Sequence, residues 1–202
     1  WNRDRMYQSL SIDHFYDVDA YTIGEGQSVS WGMKDIPFFE QSAQILGQVE
    51  QPFATRLITL TNHHPFELEE QDKLIPEYDS NSGTLNRYFQ TVRYMDESLK
   101  VFFEQLKANG VYDNSIIVMY GDHYGISELH HKAMAQYLGK EQLTAYDHAL
   151  LQSVPMFIHI PGSNDGKEIA TTSGQMDLRP TILHLLGIST ASDVEFGNDL
   201  FS

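Results

Sequence analysis

Between residues 85 and 106, apolar side chains recur every three or four positions: Leu85, Tyr88, Phe89, Val92, Met95, Leu99, Phe102, Phe103 and Leu106. That period predicts a long amphipathic helix, closed by Asn109-Gly110 as its C-cap. A second helix is predicted behind Asp35 as N-cap, with Phe38, Phe39, Ile45, Leu46 and Val49 on one face and the small Ser42 among them. Pro52 ends that pattern. Residues 53–60 are then apolar and β-branched enough to predict a buried strand, and 115–120 (Ser-Ile-Ile-Val-Met-Tyr) suits a central parallel strand buried on both faces. Residues 154–160 predict another strand. A last helix is expected from Asp177 as N-cap, through Pro180, to a stop at Gly187. Residues 4–10 predict a short helix, and 22–33, with three Gly and two Ser, a loop.

Strands alternating with helices indicate an α/β sandwich with a mainly parallel central sheet flanked by helices. In such sheets chemistry collects beyond the carboxyl ends of the strands. The 202 residues suit one compact domain or part of a larger one. With 13 Lys+Arg against 28 Asp+Glu the net charge is −15, which argues against nucleic acid or anionic lipid as a partner bound through basic patches. The absence of Cys excludes a disulfide scaffold, a Cys zinc site and a thiol nucleophile. No run approaches the roughly 20 apolar residues that span a bilayer. The opening Trp1-Asn2-Arg3-Asp4-Arg5 resembles neither a signal peptide nor an initiator end, so the chain is expected to be a piece of something longer.

Two predicted strands run into His-bearing loops. The first reads Leu60-Thr61-Asn62-His63-His64-Pro65-Phe66, the second Met119-Tyr120-Gly121-Asp122-His123-Tyr124-Gly125. Asp122 and His123 together offer one hard oxygen and one imidazole nitrogen, a combination suited to Zn²⁺ or Mn²⁺, and the flanking glycines let the backbone turn beneath them. The same dipeptide also fits an ordinary surface turn. Adjacent side chains diverge at a strand end, so one of His63 and His64 should face the cleft, where it could protonate a leaving oxygen or hold a phosphate. His130 and His131 read as a solvated polar face, and His14, His148, His159 and His184 as structural. Trp1 and Arg3 pair an aromatic face with a guanidinium that can grip phosphate.

Read together, Trp1-Asn-Arg-Asp, Gly32-Met-Lys-Asp-Ile-Pro-Phe-Phe39, Thr61-Asn-His-His-Pro-Phe66, Gly121-Asp-His-Tyr-Gly-Ile-Ser-Glu128, Val154-Pro-Met-Phe-Ile-His-Ile-Pro161 and the segment 177–187 resemble the extracellular catalytic domain of the lipoteichoic acid synthases. The Asp-His strand end and the Asp-x-x-Pro-Thr helix are shared more widely with sulfatases and the alkaline-phosphatase superfamily.

The resemblance implies a sulfatase/alkaline-phosphatase-like sandwich, present as the second half of a domain spanning 1–202, without most of its small C-terminal subdomain. It implies Asp122 and His123 as ligands of a catalytic Mn²⁺ (Mg²⁺ or Zn²⁺ being alternatives), His63 as the contact to substrate phosphate, and Trp1 and Arg3 as holders of the glycerol phosphate. The implied reaction moves glycerol phosphate from phosphatidylglycerol to a growing lipoteichoic acid chain through a metal-activated Thr. That Thr and a metal-binding Glu fall outside this sequence, so the 202 residues alone are expected to lack turnover and to bind Mn²⁺ weakly. The implied place is the extracellular face of a bacterial membrane, reached through helices not present here. A half sheet would expose an edge and invite pairing with another copy. The rival readings are a sulfatase or phosphodiesterase of the same fold and a non-catalytic glycopolymer-binding domain. The loops 62–66 and 121–125 are expected at one end of the sheet, with His63 facing Asp122 and His123.

Overall fold

The computed structural model describes residues 2–201. In chain order they form α1 (Arg3–Ser9), a two-residue hairpin of β1 (Ser28–Val29) and β2 (Gly32–Met33), α2 (Asp35–Leu46), α3 (Gly83–Ala108), β3 (Ile117–Tyr120), α4 (His131–Tyr137), α5 (Ala145–Leu150), β4 (Met156–His159) and α6 (Leu178–Leu185). No helix among them is long and apolar enough to cross a membrane.

The two long helices pack along each other because their apolar stripes face the same way. Phe39, Ala43 and Leu46 of α2 meet Phe102 and Leu106 of α3, with Val111 closing the cluster and the Phe39 and Phe102 rings stacked at 4.5 Å. Ser82 caps α3 through its side chain, and Gly110, at φ +76°, ends it as the Asn-Gly pair predicts. The buried face of α3 also carries Ser98, whose hydroxyl donates to the Tyr94 carbonyl within the helix, and Thr91, whose single hydroxyl proton is shared between the Tyr88 carbonyl and Asn62 Oδ1 on the neighbouring loop. A second cluster joins Phe66, Leu85, Ile126, Ala133 and Met134. It lies under both His-bearing loops.

The sheet departs from the expectation. Both ladders among the described residues are antiparallel, β1 with β2 and β3 with β4, the latter in the register Ile117↔His159 to Tyr120↔Met156. The reason is the route of the chain. The connection leaving Tyr120 passes through α4 and α5 and returns at the same end, opposite Tyr120, so β4 runs back along β3. Residues 53–60 form no ladder among the described residues; Phe53 and Leu57 instead pack on the first cluster.

Asp35 differs from its expected role as N-cap. It is the first residue of α2 behind Lys34, and its carboxylate reaches across to another segment. Lys34 is itself buried and paired with Glu69 and Asp72; burial works against its charge, but the two carboxylates outweigh it and raise its pKa.

At the start of α5, Thr144 and Asp147 form a reciprocal capping box, and Lys140 pairs with the same carboxylate. The Lys140 hydrogen bond, with those of Thr144, pulls Asp147 from 3.8 down to about 2. A carboxylate held lower in the folded chain stabilises it above its unfolded pKa, and that contribution is lost as pH falls through the folded value. Acid unfolding followed by circular dichroism should therefore show Asp147→Asn less stable than the parent at neutral pH, with the difference closing between about pH 4 and pH 2.

Candidate functional site

The site forms where the loops 62–66 and 121–125 rest on one apolar cluster. Phe66 (2% exposed) anchors the first loop and Ile126 (5%) the second, both against Leu85 of α3. Burial of these two side chains from neighbouring water stabilises each by about 1.5–3 kcal/mol, so the same hydrophobic contact that folds the loops also brings them together.

The first loop is held from below by hydrogen bonds. The buried Asp35 carboxylate accepts from the backbone N–H of Leu60 (2.9 Å) and Thr61 (3.1 Å), while Asp35 N–H donates to Thr61 Oγ1 (2.9 Å). Thr91 Oγ1 donates to Asn62 Oδ1 (2.8 Å), and Arg87 Nε donates to the Pro65 carbonyl (3.2 Å). Burial pushes the Asp35 carboxyl up, opposed by the Leu60 and Thr61 N–H groups.

In the second loop the glycines serve close approach rather than left-handed turning, since neither has positive φ. A Cβ on Gly121 would stand 2.7 Å from Val154 Cβ, and one on Gly125 2.8 Å from the Tyr88 ring.

The His63 and His123 rings meet edge-to-face with centroids 5.6 Å apart, and His123 Nε2 lies 3.6 Å from Asp122 Oδ1. Both Nδ1 atoms are engaged alike: His63 with the carbonyl of His64, His123 with that of Tyr124, each at 2.8 Å. A carbonyl only accepts, so the proton of each ring is assigned to Nδ1 and the Nε2 lone pairs are left for a ligand or a transferable proton. Trp31, in the turn between β1 and β2, stands 5.3 Å from His63 by ring centroid and is 69% exposed. Together with Ser30, Leu60, Thr61, His64 and Glu67 it lines the cleft beside His63.

The Asp122–His123 pair fits a divalent metal. Oxygen and nitrogen ligands about 2.1 Å from one ion stand roughly 3.0–3.4 Å apart at octahedral to tetrahedral angles, close to the 3.6 Å separation here. The free Nε2 is the correct donor, and the Nδ1–H to Tyr124 carbonyl bond is the outer contact that orients a ligating imidazole. No group of three or more His, Cys, Asp or Glu side chains that could hold a metal occurs among the described residues.

Of the residues singled out from sequence, the structure thus brings together His63, Asp122 and His123. Trp1 lies outside the described residues. Arg3 is exposed at the start of α1, a helix with no buried residue, and among the described residues it makes no hydrogen bond or ion pair to the cleft. The reading of His130 and His131 as a solvated face is corrected. His131 is buried, its Nδ1 2.7 Å from His148 Nδ1, and His130 Nδ1 meets Ser82 Oγ at 2.9 Å. Sequence reasoning missed Asp35, which looks like any helix cap, and Trp31, which sits in a segment that reads only as loop.

The fold and the facing loops define an α/β domain that presents an Asp-His pair at the end of β3 with a second imidazole opposite. The chain belongs to the sulfatase family, whose model matches residues 1–188. It is 55% identical to the lipoteichoic acid synthase-like YvgJ of Bacillus subtilis, over all of this chain and 33% of that protein. It is 46% identical to the lipoteichoic acid synthase of Staphylococcus aureus, over all of this chain and 31% of that one. The chain thus spans about a third of the length of these curated relatives. The crystal structure of the lipoteichoic acid synthase LtaP from Listeria monocytogenes superposes with a TM-score of 0.84 at 31% identity, over 98% of this chain and 50% of that one.

Proposed function

We propose that this chain is one part of a metal-dependent phosphoglycerol transferase that moves glycerol phosphate from phosphatidylglycerol to a growing lipoteichoic acid chain at the outer face of a bacterial membrane. The observation that carries the reading is the approach of the His63 and His123 rings beside Asp122, in a chain this similar to lipoteichoic acid synthases.

Asp122 and His123 would supply two protein ligands to Mn²⁺, with Mg²⁺ or Zn²⁺ as alternatives. A catalytic ion takes three or more protein ligands plus an open position, so the others, and the attacking Thr, are assigned to sequence outside these 202 residues. Bound there, the ion would polarise the phosphoryl oxygens and lower the pKa of a coordinated hydroxyl.

His63 then has two uses, both through Nε2. Neutral, it takes the proton of an incoming glycerol hydroxyl; protonated, it donates to a phosphoryl or departing oxygen. Its Nδ1–H stays on the His64 carbonyl in either state, which keeps the ring aimed. Trp31 walls the cleft with an apolar face, and Arg3 and Trp1 are assigned to the glycerol phosphate in the complete active site. The net charge of −15 works against attracting a polyanion from a distance. Salt screens that field beyond about 8 Å, leaving a bound cation and the imidazoles to act locally.

The test is an assay of the full-length protein on phosphatidylglycerol, with and without a glycerol phosphate acceptor, beside Mn²⁺ titration. Diacylglycerol release that depends on the acceptor and on Mn²⁺, and is abolished in Asp122→Ala, is the expected result. Release of glycerol phosphate to water at the same rate without acceptor would make the protein a phosphodiesterase instead.

A further inference from the structure

The turn that precedes α6 is built with more care than a helix start requires. The buried Asp177 carboxylate accepts from the N–H of Gly174 and, across 21 residues, from that of Asn198, each at 2.7 Å. Those two donors hold its carboxyl below the ordinary aspartate range. Gly197 lies so close to the backbone of Met176 that a Cβ there would come within 2.1 Å of its carbonyl oxygen. Thr181 Oγ1 also accepts from Leu200 N–H at 3.1 Å, so the segment 197–200 straps the turn from outside. Gln175 lies between these fixed points.

Gln175 is exposed, yet its side-chain amide reaches back to the end of β3. Gln175 Nε2 donates to the carbonyl oxygens of Asp122 (2.8 Å) and Gly121 (3.2 Å), more than 50 residues away in the chain. An amide nitrogen carries two protons, so both bonds can be made at once. These carbonyls belong to the peptide that carries Asp122 and the one before it, at the point where β3 has ended. Gly121 N–H still pairs with the Pro155 carbonyl, which makes that the last backbone bond of the ladder. Beyond it the Asp122 side chain is exposed and makes no hydrogen bond among the described residues, so its backbone alone sets the direction in which it leaves the strand end.

We propose that Gln175 is a positioning residue for the Asp122–His123 pair: its amide fixes the two carbonyls and with them the direction in which the carboxylate and imidazole leave the strand end. The inference rests on the metal reading only in its affinity readout; the clamp on the loop is independent of it. Gln175 touches no reacting atom. It acts through the peptide planes, as the outer partners of metal ligands commonly do, where their loss costs about 10–100-fold in metal affinity.

The experiment uses the full-length protein and two variants, Gln175→Met, which keeps the shape and removes the donor, and Gln175→Glu, which sets an acceptor against two acceptors. Gln152→Glu, an exposed position elsewhere, controls for added charge. Calorimetric titration with MnCl₂, amide hydrogen exchange of residues 121–125 without metal, and melting temperature are read together. Weakening of Mn²⁺ binding by about tenfold in Gln175→Met and more in Gln175→Glu is expected, with faster exchange confined to the loop and an almost unchanged melting temperature. If the parent binds no Mn²⁺ but the loop still exchanges faster in the variants, the clamp stands and the metal reading falls. Parent-like affinity and exchange in Gln175→Met would overturn the inference. So would a loss matched by general destabilisation, which would make Gln175 a merely structural residue.

Discussion

Replacing His63 with Ala in the full-length protein should lower phosphoglycerol transfer by at least about a hundredfold while moving the melting temperature little. The size follows from what a positioned imidazole contributes as acid or base, about 10²–10⁴ in rate. The small effect on stability follows from its surroundings. His63 is only half-buried, the one hydrogen bond of its side chain among the described residues runs to the carbonyl next door, and its ring neighbours Trp31 and His123 lie at the cleft mouth. The loop itself is anchored by Phe66 and by Asp35, neither of which the substitution touches. His63→Gln should not rescue turnover, because an amide has no titratable nitrogen near neutral pH. Steady-state kinetics separates the outcomes. A fall in kcat supports proton transfer, whereas a rise in KM with kcat intact would reduce His63 to a binding contact.

Asp35→Ala is expected to cost about 3 kcal/mol in stability and to impair the site from beneath. The carboxylate is fully buried, and truncation orphans the N–H groups of Leu60 and Thr61; each buried donor left unpaired costs about 1–3 kcal/mol, offset in part by relief of a buried charge. Because His63 N–H donates to the Leu60 carbonyl, release of residue 60 also frees the turn that aims the imidazole. Chemical denaturation would measure the first effect and turnover at a temperature well below melting the second. The dependence on pH has a defined sign. Burial raises the Asp35 pKa above 3.8, so the folded state favours the protonated acid. Stability drawn from this group is fully present below its unfolded pKa and is lost as pH rises through the raised folded value. The difference between Asp35→Ala and the parent should therefore be largest in acid and shrink towards neutrality. A difference that grew with pH would contradict the raised value.

These two residues also mark what could and could not be read along the chain. The sequence by itself determined whatever depends on neighbours in the chain. The three- and four-residue period set α2 and α3, Asn109-Gly110 closed the long helix, and the apolar runs located β3 and β4 to within two residues at their ends. It also pointed to Asp122 and His123, because a carboxylate and an imidazole straight after an apolar run that forms a strand emerge at its end, and to His63 by the same reading, although the run before His63 forms no strand among the described residues. Tertiary structure alone decided the rest. The 53–60 run has strand composition, but a ladder needs a partner, and propensity carries no information about one. The antiparallel pairing of β3 with β4 follows from where the chain returns after α5, beyond the reach of any local pattern. Asp35 and Gln175 look from sequence like a helix cap and a loop amide. Their hydrogen bonds instead join segments about 25 and 53 residues apart, and only the packing of Phe66 and Ile126 on one cluster brings the loops they serve into a single site.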